Sequence, residues 1–294
     1  MCELIVITGP TAVGKTELSL QVASALGFEV ISADSRQVYR EMRIGTAVPT
    51  EQELRGIPHH MLRCRSIFEP INAYDYEQNV LSLLPCLFSR CNGKTLLVGG
   101  SMMYIDAVCH GIDEMPTITD EVRQHVLSVY ESRGLEYISS WLARLDPEYH
   151  KIVDLRNPRR LIHAIEICLQ SGITYTSLRA GSPKSRPFKI KKFAVVRSRD
   201  ELYARIESRV DQMISEGLLD EVESLIPYRH LNTLNTVGYR ELFDYFDGKY
   251  SLDEAIRLIK RNTRHYAKKQ LTWIASSADY TYISPTDINQ VLNA

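Results

Sequence analysis

This sequence lacks the features of a surface-bound or disulfide-built protein. Its 294 residues carry 35 Lys and Arg against 36 Asp and Glu, so no global positive charge points to nucleic acid or an anionic membrane. Six cysteines (Cys2, Cys64, Cys86, Cys91, Cys109, Cys168) lie scattered, with no Cys-x2-Cys pair and no histidine pair at finger spacing beside them. That excludes a zinc ribbon and suggests reduced core thiols. No apolar run nears the length of a membrane span, and no basic, signal-like leader precedes the first strand pattern. The expectation is a cytoplasmic protein without membrane contact. Repeats and low-complexity tracts are missing too. With no unpartnered apolar helix face in the pattern, a monomer is expected. A hydrophobic content of 44% is enough for one large domain or two modest ones.

What is present begins at Gly9-Pro-Thr-Ala-Val-Gly-Lys-Thr16, between the apolar run Leu4 to Ile7 and the helical pattern Glu17 to Leu26. A strand, a Gly-containing turn and a helix in that order aim backbone N–H groups at one spot, where they hold anionic oxygens. Lys15 adds a mobile positive charge, and the Thr16 hydroxyl can reach a magnesium ion on the same phosphates. The candidate phosphate-binding residues are therefore Gly9, Pro10, Thr11, Ala12, Val13, Gly14, Lys15 and Thr16. Taken alone, the loop looks like an ATP site.

A second strand is predicted over Phe28 to Ala33, ending in Asp34. In doubly wound sheets ligands lie beyond the carboxyl ends of the strands, so Asp34 should face the phosphate loop. It can be a turn former, a magnesium ligand, a hydroxyl-binding group or a general base. Loops rich in polar and aromatic residues follow, including His59-His60, read as hydrogen-bonding rather than metal-binding, and then a helix from Asp75 to about Ser89. Lys94 to Val98 is a third, fully buried strand. It ends in Gly99-Gly100, where an NTP hydrolase would often place a magnesium-binding Asp.

Helix patterns at Asp120 to Arg133, Leu135 to Leu145 and Asn157-Pro158 to Gln170 form a helical middle, with good N-cap and first-turn pairs at Asp146-Pro147 and Asn157-Pro158. A polar segment, Arg179 to Pro187, leads to a strand over Phe188 to Val196 that returns to the sheet. The last third is read as helical. Its first pattern, Arg205 to Ile226, leaves Arg205 and Arg209 off the buried stripe. Its last, Leu252 to Trp273, carries six Lys/Arg and no acid between Ala255 and Gln270. A second basic block runs from Arg179 to Lys192. Each block is either a solvated face or a nucleic-acid surface. The fold class is thus α/β, a P-loop NTPase-like parallel sheet (residues 1–112 and 188–294) with a mostly α-helical insertion (residues 113–187).

Several motifs in order resemble the tRNA dimethylallyltransferase family: the loop at Gly9–Thr16, Asp34-Ser-Arg-Gln-Val-Tyr39, Ile44-Gly-Thr-Ala47, Pro58-His-His60, Leu97-Val-Gly-Gly100 with Tyr104, Asp146-Pro147, Arg160-Leu161 with Glu166, Val237-Gly-Tyr-Arg240, and Tyr266-Ala-Lys-Lys-Gln270 with Trp273. The resemblance implies transfer of a dimethylallyl group from dimethylallyl diphosphate to N6 of adenosine 37 of tRNA, with magnesium as cofactor and the anticodon stem-loop as partner. It implies catalytic roles for Asp34 as base, Thr11 and Arg209, with the Gly9–Thr16 loop holding diphosphate. It places RNA contacts at Asp34, Ser35, Arg36, Gln37, Ser101, Arg123, Arg159, Arg160, Leu161, Ile162, His163, Asn235, Thr236, Val237, Gly238, Tyr239 and Arg240. Ser101 stands where the family usually has Thr, Val48 replaces a usual Lys, and Met102-Met103 and His163 also depart from the common residues. No zinc finger of the eukaryotic kind is appended, so the bacterial type is expected. The rival readings are a nucleoside or small-molecule kinase, an adenylate isopentenyltransferase acting on free AMP or ATP, and a non-enzymatic RNA-binding protein.

Overall fold

The first strand, β1 (Glu3–Thr8), is buried along its whole length and has parallel neighbours on both sides, Ile5 standing opposite Leu96 of one and Lys191 of the other. It is the inner strand of a sheet described by a computed structural model covering residues 2–179 and 183–293. After β1 come α1 (Lys15–Leu26), β2 (Val30–Ala33), α2 (Glu51–Leu54), β3 (His59–His60), α3 (Ala73–Arg90), β4 (Lys94–Gly99) and α4 (Met102–His110). The chain then forms α5 (Asp120–Leu145), α6 (Pro147–Ile152), α7 (Pro158–Ser171) and α8 (Tyr175–Leu178). It returns through β5 (Lys189–Val195), α9 (Arg199–Ser215), α10 (Leu218–Ser224), α11 (Tyr239–Phe246), α12 (Leu252–Ala275), β6 (Tyr280–Ile283) and α13 (Ile288–Leu292).

All pairings in the sheet are parallel, in the order β3-β2-β4-β1-β5-β6. Because side chains alternate across a strand, Leu4, Val6, Ile31, Ala33 and Leu97 feed one core with residues of α3, α4, α11 and α12. Ile5, Ile7, Val30, Leu96, Val98 and Phe193 feed the other with α1 and α9. Burial on both faces explains why these strands read as unbroken apolar runs.

The chain divides into two compact units, one of residues 1–110 and 185–294 and one of residues 111–184. The second unit has its own core of Val126, Ile138, Leu142, Leu161, Ala164 and Ile165. Within α5, Gly134 breaks the helical geometry at φ 76°, so its two halves correspond to the two helices expected there. Of the polar segment expected from Arg179 to Pro187, residues 180–182 lie outside the described residues.

Other expectations need correction. The second strand starts at Val30 rather than at Phe28, which is buried in the same core just before it. The helix expected over Arg205 to Ile226 starts earlier, capped by Ser198, and breaks at Gly217 (φ 97°) into α9 and α10. The last third also contains β6, four residues buried only at Tyr280 and Ile283, which gives no alternating signal to read. Cys64 and Cys86 are exposed rather than core thiols.

The basic block from Arg179 to Lys192 is largely consumed inside the protein. Lys191 pairs with Glu3, and buried Lys192 approaches His110 at 2.7 Å and Asp279 at 3.5 Å. Arg186 donates to Glu77 at 2.6 Å and to the carbonyls of Ala107 and Val108, closing the C-terminal turn of α4. Both side chains of the Arg186–Glu77 pair are buried. Breaking a buried ion pair that also closes a helix end is strongly destabilising, so Arg186→Ala should lower unfolding free energy by about 3–5 kcal/mol. Urea titration checks this, and a loss below about 1 kcal/mol would mean that the pair is not formed in solution.

Candidate active site

The site is assembled at the carboxyl ends of β1, β2 and β4. Between β1 and α1 the chain must reverse within six residues, and the bend needs glycine at both ends. A Cβ on Gly9 would lie 2.6 Å from the carbonyl oxygen of Val195, and Gly14 caps α1 at φ 109°. The backbone amides of Gly14, Lys15 and Thr16 have no partner among the described residues, so they remain available to an anion at the positive end of the helix. Lys15 Nζ donates to the carbonyls of Gly9 and Pro10 at 2.9 Å each. Burial and the neighbouring Arg209 push its pKa down to about 7, with Asp34 pulling the other way.

Arginines surround the loop. Arg205 donates from Nε to the Ala12 carbonyl and Arg197 to that of Val13, each at 2.8 Å. Arg209, expected to be exposed, is half-buried. Burial and Arg205 hold its guanidinium below the usual range, while Glu53 and Asp34 partly offset them. Three cationic groups crowded together without a fully matching set of acids are costly unless an anion joins them. The Thr16 hydroxyl is exposed in the first turn of α1 with no hydrogen-bond partner among the described residues, which suits a magnesium ion carried by phosphate oxygens. No group of three or more His, Cys, Asp or Glu among the described residues could hold a metal by itself. His59 faces the Ile57 carbonyl and His60 the Glu29 carboxylate.

Facing the cradle is Asp34. Its Oδ1 accepts the N–H groups of Arg36 at 2.8 Å and Gln37 at 3.1 Å, which builds the turn. Its Oδ2 has no hydrogen-bond partner among the described residues. One oxygen thus serves the turn, and the other is open to a ligand. Ser101 Oγ accepts the Ser35 N–H at 2.7 Å and donates to Ser35 Oγ. The glycines before it are a packing requirement: a Cβ on Gly99 would lie 2.1 Å from the Ala33 carbonyl oxygen. This close approach of β4 to β2 leaves no room for an Asp side chain at the strand end.

Other candidates are placed differently from the sequence reading. Arg36 donates to the Thr233 carbonyl, and Gln37 donates to the carbonyls of Thr46 and Ala47, so both side chains brace loops. Leu161 is wholly buried in the core of the second unit, and Tyr239 is wholly buried against Glu221, so neither side chain can touch RNA directly. Gly238 N–H is taken by Glu241. Asn235 and Arg240 are exposed, and Thr236 and Val237 are half-buried beside them. In the second unit Arg123, Arg159, Arg160 and His163 are exposed and Ile162 is half-buried. Partial desolvation of its ring and the charge of Arg123 lower the pKa of His163. The basic face of α12 is also partly spent: Arg257 pairs with Glu254, Lys260 with Asp211 and Arg264 with Glu207.

Three residues of the site were given no role by the sequence reading, although Tyr266 and Gln270 stand at the ends of one of its motifs. Glu221 accepts the N–H groups of Arg43, Ile44 and Gly45 and the Tyr239 hydroxyl, which ties the Ile44–Ala47 motif to the Val237–Arg240 motif. Tyr266 lies near enough to Asp34 to feel its charge, and desolvation and Asp34 push its hydroxyl pKa up to about 12. Gln270 lies against the phosphate loop itself, with Oε1 accepting the Thr11 N–H at 2.8 Å. For Gln270 a signal existed: a polar residue on the buried stripe Ala255, Ile259, Ala267, Ile274 must have partners.

The chain matches the family described as IPP transferase over residues 37–277. It is 50% identical over 292 residues to tRNA dimethylallyltransferase 1 of Bacteroides thetaiotaomicron, covering 99% of this chain and 94% of that one. It is 49% identical over 290 residues to the Bacteroides fragilis protein of the same name, covering 99% and 96%. Among solved structures, the tRNA isopentenylpyrophosphate transferase of Bacillus halodurans superposes with a TM-score of 0.72 at 36% identity, covering 100% of this chain and 95% of that one. A eukaryotic dimethylallyltransferase acting on tRNA gives 0.79 at 26%, covering 99% and 75%. With a family match over residues 37–277 and relatives of this identity over nearly its full length, the chain belongs to the IPP transferase family.

Proposed function

We propose that this protein transfers the dimethylallyl group of dimethylallyl diphosphate to N6 of adenosine 37 in tRNA, releasing diphosphate. The observation that carries the reading is the opposition of Lys15 and Arg209 to a carboxylate, Asp34, that keeps one oxygen open. In the reaction the N6 lone pair forms a bond to C1 of the allyl group. The C1–O bond breaks with its electron pair passing to diphosphate, and the N6 proton passes to Asp34. Negative charge develops on the leaving group, where the loop amides, Lys15 and Arg209 stabilise it, commonly the largest catalytic contribution. Magnesium, held by the phosphates and Thr16, would supply further countercharge. Thr11 helps position the reacting groups.

A stacked anticodon-loop base cannot reach this crevice, so the adenine is flipped out toward Asp34, Ser35 and Ser101. Recognition of the anticodon stem-loop falls to exposed basic residues such as Arg123, Arg159, Arg160 and Arg240, chiefly through phosphates. No helix among the described residues is long and apolar enough to cross a membrane. We infer a monomer working in the cytoplasm.

The test is one assay offering unmodified tRNA, AMP and ATP side by side with labelled dimethylallyl diphosphate and magnesium. Label should enter tRNA, with no steady ATP turnover. Label in AMP but not in tRNA would replace this reading with an adenylate isopentenyltransferase, and ATP consumption would replace it with a kinase.

A further inference from the structure

We propose that Gln270 is a positioning residue that fixes the distance between the phosphate loop and the Asp34 loop, coupling the leaving-group site to the proton-accepting site. The proposal rests on the transfer reaction above. Gln270 is 3% exposed, and its carboxamide spans two segments. Oε1 accepts the Thr11 N–H at 2.8 Å, and Nε2 donates to the Gly100 carbonyl at 2.8 Å. Its orientation is unambiguous, because Thr11 N–H can only donate and the carbonyl can only accept. Gly100 is shaped to it, since a Cβ there would lie 2.3 Å from Nε2.

The bridge continues past Gly100. The next residue, Ser101, donates its N–H to the Ala33 carbonyl and accepts the Ser35 N–H on its hydroxyl, and Ser35 follows Asp34 directly. A single helix, α12, therefore holds the cradle at Thr11 and the acceptor loop through Gly100 and Ser101. An amide at the loop that would otherwise point at phosphate is committed to Gln270, leaving Thr11 to act through its side chain. The consequence is a helix whose basic residues draw attention while its buried polar residue sets the reaction geometry. A shift on the order of 1 Å between the reacting groups costs about 10²-fold in rate.

Two variants test this. Gln270→Leu removes both hydrogen bonds. It should lower kcat about 10²-fold while KM for tRNA stays within about threefold. Gln270→Glu keeps the acceptor for Thr11 but sets a carboxylate oxygen against the Gly100 carbonyl until it is protonated. A carboxyl buried there titrates high, so this variant should gain on the wild type, about tenfold in relative kcat, as pH falls from 8.5 to 6. Hydrogen exchange without substrate should rise in Gln270→Leu both in residues 9–16 and in residues 34–37. Wild-type kcat in folded Gln270→Leu, a relative kcat for Gln270→Glu that is flat with pH, or faster exchange confined to the phosphate loop would overturn the proposal. A wild type that fails to label tRNA would sink the transfer reading, and the exchange result would still decide the role of Gln270.

Discussion

Asp34→Asn should lower the single-turnover rate of transfer to tRNA by about 10²–10⁴-fold, the usual worth of a positioned general base, while leaving diphosphate affinity within about twofold. The substitution is chosen because the two carboxylate oxygens do different jobs. Oδ1 accepts the N–H groups of Arg36 and Gln37, and an Asn carbonyl can accept both. The turn therefore survives, with Ser35 still held by Ser101. What is lost is a proton acceptor at Oδ2. Rapid-quench kinetics with labelled donor measures the rate, and calorimetric titration with inorganic diphosphate measures the affinity. A rate within tenfold of wild type would remove Asp34 as the base. A parallel fall in diphosphate affinity would mean that Asp34 acts through the cradle instead.

Lys15→Met should lower kcat by about 10²–10³-fold, since it deletes a cation from a preorganised anion site. A second readout follows from its titration. In the free protein the ammonium is buried beside Arg209 and its pKa is about 7. An arriving diphosphate reverses that bias and favours the charged form, so the pKa rises in the complex. Below pH 7 the lysine is already protonated and binding takes up no proton at this position. Above pH 7 it is mostly neutral, and binding must draw a proton from solvent. At pH 8 the wild type should take up about 0.9 proton more than Lys15→Met on binding inorganic diphosphate, and its affinity should fall as pH rises further. Titration calorimetry in buffers of different ionisation enthalpy gives the number. Equal uptake by the two proteins would refute a neutral Lys15 in the free site.

The sequence carried the parts of this protein that depend on local chemistry. Gly9 to Thr16 could be read because a strand, two glycines, a lysine and a hydroxyl at fixed spacing encode their own geometry. The inner strands β1 and β4 were visible as apolar runs, and the N-caps of α6 and α7 as Asp146-Pro147 and Asn157-Pro158. The order of motifs was enough to suggest the family.

Tertiary structure decided what those residues do to one another. Arg209 read as exposed on its own helix, and only packing beside Lys15 and Arg205 makes it a half-buried cation of the site. The basic blocks read as either solvated faces or nucleic-acid surfaces, yet Arg186 closes α4 and Lys260 and Arg264 pair with α9, because charge partners distant in sequence leave no local pattern. Gly99-Gly100 read as a missing Asp, but the spacing of β2, β4 and Gln270 forbids any side chain there. A sequence specifies each residue's reach and charge, whereas the side chain that lies within 3 Å is fixed only when segments as far apart as Thr11 and Gln270, 259 residues, are packed around one sheet. The phosphate loop belongs to the first kind of information, and its connection to Asp34 through α12 belongs to the second.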